Sequence, residues 1–167
     1  GFEGAAIQLF GSAGDADGDP LTVAWTYQPL SGVDGLATCN VTGAATLAPQ
    51  LRCTDDGSYV VTLTASDGVN PPAIATTTVV VANASPTTSI VAPVPNLVVA
   101  TGATARVQAQ IADAGSNDSH TCSIQWGDGT TDSAPVVSNV CSAEHRYSTV
   151  GTRTVVVTVT DDDGGSG

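Results

Sequence analysis

The 167 residues carry 16 acidic side chains against four arginines and no lysine, for a net charge of -12. Nucleic-acid binding draws its affinity from Lys and Arg neutralising phosphates, so a nucleic-acid partner is excluded, and an anionic lipid surface with it. Yet 41% of the residues are hydrophobic, too many for a disordered acidic tail, and no run approaches the ~20 apolar residues of a membrane-inserted helix. Of the acids 14 are Asp, and Thr (23) and Val (22) crowd the rest; Asp belongs to turns and metal loops, Thr and Val to strands.

In chain order, the first readable element is the loop Asp15-Ala-Asp-Gly-Asp-Pro20, where Asp15, Asp17 and Asp19 alternate. Carboxylates at that spacing let several oxygens converge on one hard cation, and Ca2+ prefers such donors. An EF-hand is excluded, because the twelfth position from Asp15 is Thr26 rather than Glu. The competing reading is that these side chains only close Asx turns. Next, Leu21, Val23, Trp25 and Tyr27 alternate with Thr22, Ala24 and Thr26, and Tyr59, Val61, Leu63 and Ala65 alternate with Val60, Thr62, Thr64 and Ser66. Period 2 over such runs predicts half-buried strands. Asp67 closes the second of them and would lie near the Asp15 loop in a sandwich, as a further calcium ligand. A strand from Thr76 to Val81 follows, and the Val-rich run stops at Ala82. The Asn83-Ala-Ser-Pro86 link marks a boundary, giving domains at 1–83 and 84–167.

The halves repeat. Gly57 to Asp67 aligns without a gap on Gly151 to Asp161, placing Val155 over Val61, Val157 over Leu63 and Val159 over Ala65, and each half has one Trp on an earlier strand, Trp25 and Trp126. Short strands divided by Gly, Pro and Asp punctuators predict an all-β sandwich or barrel. The cysteines fall as one pair per half without any CxxC, unlike a zinc or redox site. Four cysteines allow three connectivities; the local ones, Cys39 with Cys53 and Cys122 with Cys141, are favoured because each closes a short loop inside one half. Formed disulfides imply an oxidising, extracellular or cell-surface location.

The second half, with Trp126-Gly-Asp-Gly-Thr130, Glu144-His-Arg-Tyr147 and a closing Thr158-Val-Thr-Asp161 strand, resembles the PKD domain. The first half, with Gly14-Asp-Ala-Asp-Gly-Asp19 and Tyr59 through Gly68, is similar to the divergent PKD-like or immunoglobulin-like repeats of secreted bacterial proteins, though it lacks the GDG turn and the H-x-Y. The resemblance implies two tandem immunoglobulin-like, PKD-type β-sandwiches of seven strands, each with a core Trp and one disulfide. It also implies calcium at a D-x-D-G loop, and for the second domain a counterpart drawn from Asn83, Asp113 and Asp118 with Asp161 nearby. His145, in the H-x-Y position, is expected to pack and hydrogen-bond. The run Asp161-Asp-Asp163 reads as a solvated turn.

The halves are cut unequally. If Gly4 corresponds to Gly102, the second half has Pro86 to Thr101 ahead of it and the first has only Gly1 to Glu3. The first domain is therefore expected to lack an opening strand and the second a closing one, leaving open edges that neighbouring repeats or copies of the chain would fill by strand addition. No G-x-S-x-G elbow is present, and with the cysteines paired no thiol nucleophile remains. The expectation is a non-catalytic extracellular structural or adhesion module, a calcium-stiffened spacer or assembly repeat of a larger surface protein or filament. The alternative is a carbohydrate-binding accessory module of a secreted hydrolase, with a polysaccharide as partner.

Overall fold

The computed structural model describes residues 1–93, 98 and 100–167. The chain divides into two compact units, one of Gly1–Ala84 with Ala114–Asn117 and one of Ser85–Asp113 with Asp118–Gly167. Among the described residues every regular element is a strand, and no helix is long and apolar enough to cross a membrane.

The first unit contains β1 (Ile7–Gln8), β2 (Thr22–Pro29), β3 (Cys39–Thr42), β4 (Gln50–Cys53), β5 (Gly57–Ser66) and β6 (Ala73–Val81). They form two antiparallel sheets, ordered β1-β4-β3 and β2-β5-β6. The period-2 pattern decides which side chains go inside: Tyr59, Val61, Leu63 and Ala65 are all buried, and Trp25 stands opposite Leu63. Leu51 and Cys53 meet them from the facing sheet. A buried indole needs an acceptor for its N–H, and Trp25 Nε1 donates to the Thr46 carbonyl at 2.9 Å. Tyr59, near the start of β5, donates its hydroxyl back to the Asp55 carbonyl at 3.0 Å, the tyrosine corner of immunoglobulin-like sandwiches. Six strands are present among the described residues where the resemblance implies seven. The N-terminal segment adds only one parallel bridge, Phe2 to Ala82, through Ala82 N to Gly1 O at 2.8 Å and Glu3 N to Ala82 O at 3.0 Å.

The second unit contains β7 (Thr87–Ala92), β8 (Thr104–Ala112), β9 (His120–Gln125), β10 (Thr131–Ala134), β11 (Val136–Val137), β12 (Val140–Arg146) and β13 (Val156–Asp161). Its sheets are ordered β11-β12-β8-β7 and β10-β9-β13. Val107 and Ile111 of the first pack against Ile124, Trp126 and Val159 on the side of the second. As aligned, Val155, Val157 and Val159 share one face, with Val159 fully buried. The repeat differs at its start, because Gly57 opens β5 whereas β13 begins only at Val156. Residues 152–155 lie instead against the Gly127 turn, so closely that a Cβ on Gly127 would stand 2.5 Å from the Thr154 carbonyl oxygen.

Both local disulfides are formed, and they differ in kind. Cys39 and Cys53 are direct cross-strand partners on β3 and β4 within one sheet. Cys122 and Cys141 join β9 to β12, one strand from each sheet, and so clamp the second sandwich across its core.

Candidate metal centre

The Trp-Gly-Asp-Gly-Thr and His-x-Tyr motifs of the second unit come together as a structural lock. Asp128 Oδ1 accepts the Thr130 hydroxyl at 2.6 Å and the Thr130 N–H at 3.1 Å, while Oδ2 lies 2.8 Å from His145 Nε2. The Thr130 hydroxyl first, then His145, holds the Asp128 carboxyl down at about 2. His145 stacks on the buried Trp126 at 4.9 Å between centroids and meets Tyr147 edge-on at 4.7 Å. Tyr147 donates to the Trp126 carbonyl at 2.9 Å, and Trp126 Nε1 donates to Asp132 Oδ2 at 2.7 Å. Every polar atom of these motifs named here is engaged in holding the turn against the core, which is the packing role expected of His145.

Carboxylates gather elsewhere, at one pole of the same unit. Asp113 follows the end of β8, Asp118 precedes β9 and Asp161 is the last residue of β13. Because β8 and β13 run toward this pole and β9 leaves it, antiparallel topology brings together acids far apart in the chain. Oxygens of Asp113, Asp118 and Asp161 lie within 4.8 Å of one another. Two oxygens on opposite sides of a calcium ion, each at a bond length of about 2.4 Å, would be about that far apart. Asp118 also belongs to a second trio, with Asp162 and Asp163, at the same mutual separation. Neither Asp162 nor Asp163 was expected as a ligand, since an acidic run before Gly164 reads locally as a solvated turn.

The surroundings fix these groups in place. The Asp113 side chain is 5% exposed and its Oδ2 lies 2.8 Å from His120 Nε2. Asp161 is buried and accepts the Gly165 N–H at 2.6 Å; Gly165 is pressed so close that a Cβ there would collide with Asp161 Oδ2. Burial works to raise the Asp162 carboxyl, but hydrogen bonds from the Ser119 hydroxyl and N–H, both at 2.9 Å, outweigh it and the net shift is downward. An all-oxygen carboxylate set, held partly out of water, suits a hard divalent cation rather than zinc.

In the first unit the expected ligands do not converge. Asp15 Oδ1 accepts the N–H groups of Asp17 at 2.8 Å and Asp19 at 3.2 Å, so the loop is closed as an Asx turn. Asp67 does lie near that loop, and both Asp15 and Asp67 line a cleft of about 390 Å³. Asp67 is tied into its own turn by the Asn70 amide and the N–H groups of Val69 and Asn70, all at 2.9 Å, which bring its carboxyl down to about 2. No three carboxylates among Asp15, Asp17, Asp19 and Asp67 come within 4.8 Å of one another. Asn83 falls in the first unit and is half-buried.

Two other acids of that unit, Glu3 and Asp55, were not expected. They are 1% and 2% exposed, with carboxylate oxygens within 4.8 Å of each other. Glu3 Oε1 accepts the Ala84 N–H at 2.7 Å, and Asp55 Oδ2 accepts the Asn117 amide at 3.0 Å. Burial pushes the Asp55 carboxyl up against that bond. The local signal was Asp55-Asp56-Gly57 just ahead of the corner tyrosine, where a carboxylate is carried inward with the turn.

A family model described as PKD domain matches residues 83–167. Among solved structures, the fibronectin(III)-like modules of Clostridium thermocellum CbhA are similar at 17% identity and a TM-score of 0.44, over 98% of this chain and 81% of that one. No curated protein matches the sequence.

Proposed function

Since the chain belongs to the PKD domain family, we propose that it serves as a calcium-stiffened spacer or assembly repeat in a larger extracellular surface protein or filament. PKD domains are typically non-catalytic modules, and two formed disulfides fit an oxidising, extracellular setting. The observation that carries the calcium reading is the convergence of Asp113, Asp118 and Asp161 from three strand ends onto one pole of the second unit. A divalent ion there would neutralise the mutual repulsion of the carboxylates and tie β8, β9 and β13 together, so that pulling one strand out requires breaking the ion's coordination. A carbohydrate-binding role is less well supported, because sugar recognition commonly stacks on exposed rings, whereas Trp25 and Trp126 are 8% and 0% exposed.

Isothermal titration of calcium into chelator-stripped protein tests this. Binding heat and a raised melting temperature are expected for the native sequence, and Asp118→Asn, which removes the carboxylate common to both trios, should lose both. Silence in the calorimeter with an unmoved melting curve refutes the calcium reading.

A further inference from the structure

The sheet β1-β4-β3 differs from the rest of the first unit in its charge. No Asp or Glu occurs from residue 4 to residue 14 or from residue 35 to residue 54, the stretches that supply its strands, although the chain carries 16 acids. Ile7, Leu9, Val41, Leu51 and Cys53 face the core. Alternation therefore turns Gln8, Phe10, Asn40, Thr42, Gln50 and Arg52 outward, and all six are exposed. Register sets them in rows, Asn40 beside Arg52 and then Thr42, Gln50 and Gln8 across the three strands. The Leu9 N–H to the Pro49 carbonyl at 2.9 Å and the Gly11 N–H to the Leu47 carbonyl at 2.8 Å carry the pairing beyond β1, which puts Phe10 one row further on. Packing leaves both ends of this face unused. Phe10 is 80% exposed. Arg52 is the only Lys, Arg or His of the first unit, and among the described residues its guanidinium makes no ion pair. Between them the Gln8 amide is held by the carbonyls of Leu9, Ala48 and Pro49 at 3.1, 3.0 and 2.9 Å, and its oxygen accepts the Gln50 amide at 3.4 Å, so the middle row is fixed in place.

We propose that this face binds a short oligosaccharide bearing a carboxylate, with one sugar ring laid on Phe10, hydroxyls on the Gln50 and Asn40 amides and the carboxylate on Arg52. A guanidinium fork matches a carboxylate bidentately, and within this sheet no like charge opposes the anion. An exposed ring offers an apolar face to the C–H side of a sugar. In register Phe10 and Arg52 are four residues apart, about 13 Å at a rise of about 3.3 Å each, a span for a short oligosaccharide rather than a single sugar. The net charge of -12 limits the ligand from the other side. A long polyanion is repelled by the surface around the sheet, whereas one terminal carboxylate meets little of that field once salt screens it. The buried tryptophans remove a Trp platform, but they leave this face untouched.

The site goes beyond the spacer reading and uses none of the carboxylates of the candidate metal centre, so the titrations are made in chelator and a failed calcium titration leaves it standing. The probes are sialyllactose and a glucuronate-capped trisaccharide, with lactose as the uncharged control, followed by NMR of the intact, isotope-labelled chain. Saturable shifts concentrated in the amides of residues 7–10, 39–42 and 50–53 are expected with at least one acidic probe, and which one responds identifies the source of the carboxylate. Phe10 and Arg52 are exposed, so Phe10→Ala and Arg52→Gln are expected to fold, as near-UV circular dichroism will report. Each should weaken binding at least about tenfold, Arg52→Gln by losing a charge-assisted hydrogen bond and Phe10→Ala by losing its ring contact. Silence with both acidic probes overturns the proposal, as do shifts centred outside this sheet, lactose binding as tightly as the acidic probes, or binding that Arg52→Gln leaves unchanged.

Discussion

The sharpest test of the first sandwich lies at alkaline pH, because a chain without lysine has almost nothing but tyrosine to titrate between its N-terminal amine and its arginines. Tyr59 is fully buried and donates to the Asp55 carbonyl at 3.0 Å and the Asp56 carbonyl at 3.2 Å. Burial first, then the nearby charges of Asp55, Asp56 and Glu3, push its phenol up from an ordinary 10.0 to about 12. A pKa raised by folding contributes stability that is complete below the unfolded value and is lost as pH climbs through the folded one. From pH 10 to about 12 the unfolded chain releases this proton and the folded chain largely keeps it, a loss of about 2 kcal/mol. Urea melts at pH 9.5 and pH 12, with tyrosinate absorbance followed in parallel, should show that loss in the native protein. Tyr59→Phe should start roughly 1–1.5 kcal/mol less stable, for its missing hydrogen bond, and then lose correspondingly less with pH. Subtracting one protein from the other isolates Tyr59. Parallel decline of the two refutes the buried, donating phenol.

In the second unit, Asp128 has its carboxyl held down at about 2 by the Thr130 hydroxyl and His145, so its contribution is present above pH 4 and lost as pH falls from about 4 to about 2. Acid titration of melting temperature should show this slope in the native protein and not in Asp128→Asn. Gly127 sits at φ +73 with the Thr154 carbonyl where a Cβ would go; Gly127→Ala should cost roughly 2–3 kcal/mol in urea denaturation, and a cost below about 0.5 kcal/mol would mean that the turn does not pack on residues 152–155.

The all-β architecture was legible because its longest strands repeat every second residue: β5 buries Tyr59, Val61, Leu63 and Ala65 as its alternation requires. The strand expected from Thr76 starts three residues earlier, at Ala73, because its pairing with β5 continues as far as Ala65. Other strands were quieter. β8 buries Ala105, Val107, Ala109 and Ile111, but alanine at two of the four inward positions blurs the contrast with Arg106, Gln108 and Gln110. Local cysteine pairing was also readable, but not that one bridge lies within a sheet and the other between sheets. That distinction depends on strand order, which loop length does not encode.

Asp67 and Asp161 show where a repeat misleads about a site. They occupy equivalent places, at the ends of β5 and β13, and in sequence both qualify as ligands. Three residues beyond Asp67 stands Asn70, whose side-chain amide and N–H, with the N–H of Val69, hold both carboxylate oxygens within the turn. The counterpart of Asn70 is Gly164, which has no side-chain donor to offer, and the residues between are two further acids. Asp161 is held from below by the Gly165 N–H and sits with Asp113 and Asp118. One amide in place of a glycine therefore separates a carboxylate spent on its own turn from one that can share a cation. That difference could be read three residues downstream. The other half, Asp113 and Asp118, was named only through the family resemblance, because spacing alone does not bring Asp113, just past the end of β8 in one sheet, to Asp118, just ahead of β9, and Asp161 on β13 of the other. If the acidic residues of such repeats are to be assigned to calcium, position in the repeat has to be filtered first by the hydrogen-bond donors each turn supplies.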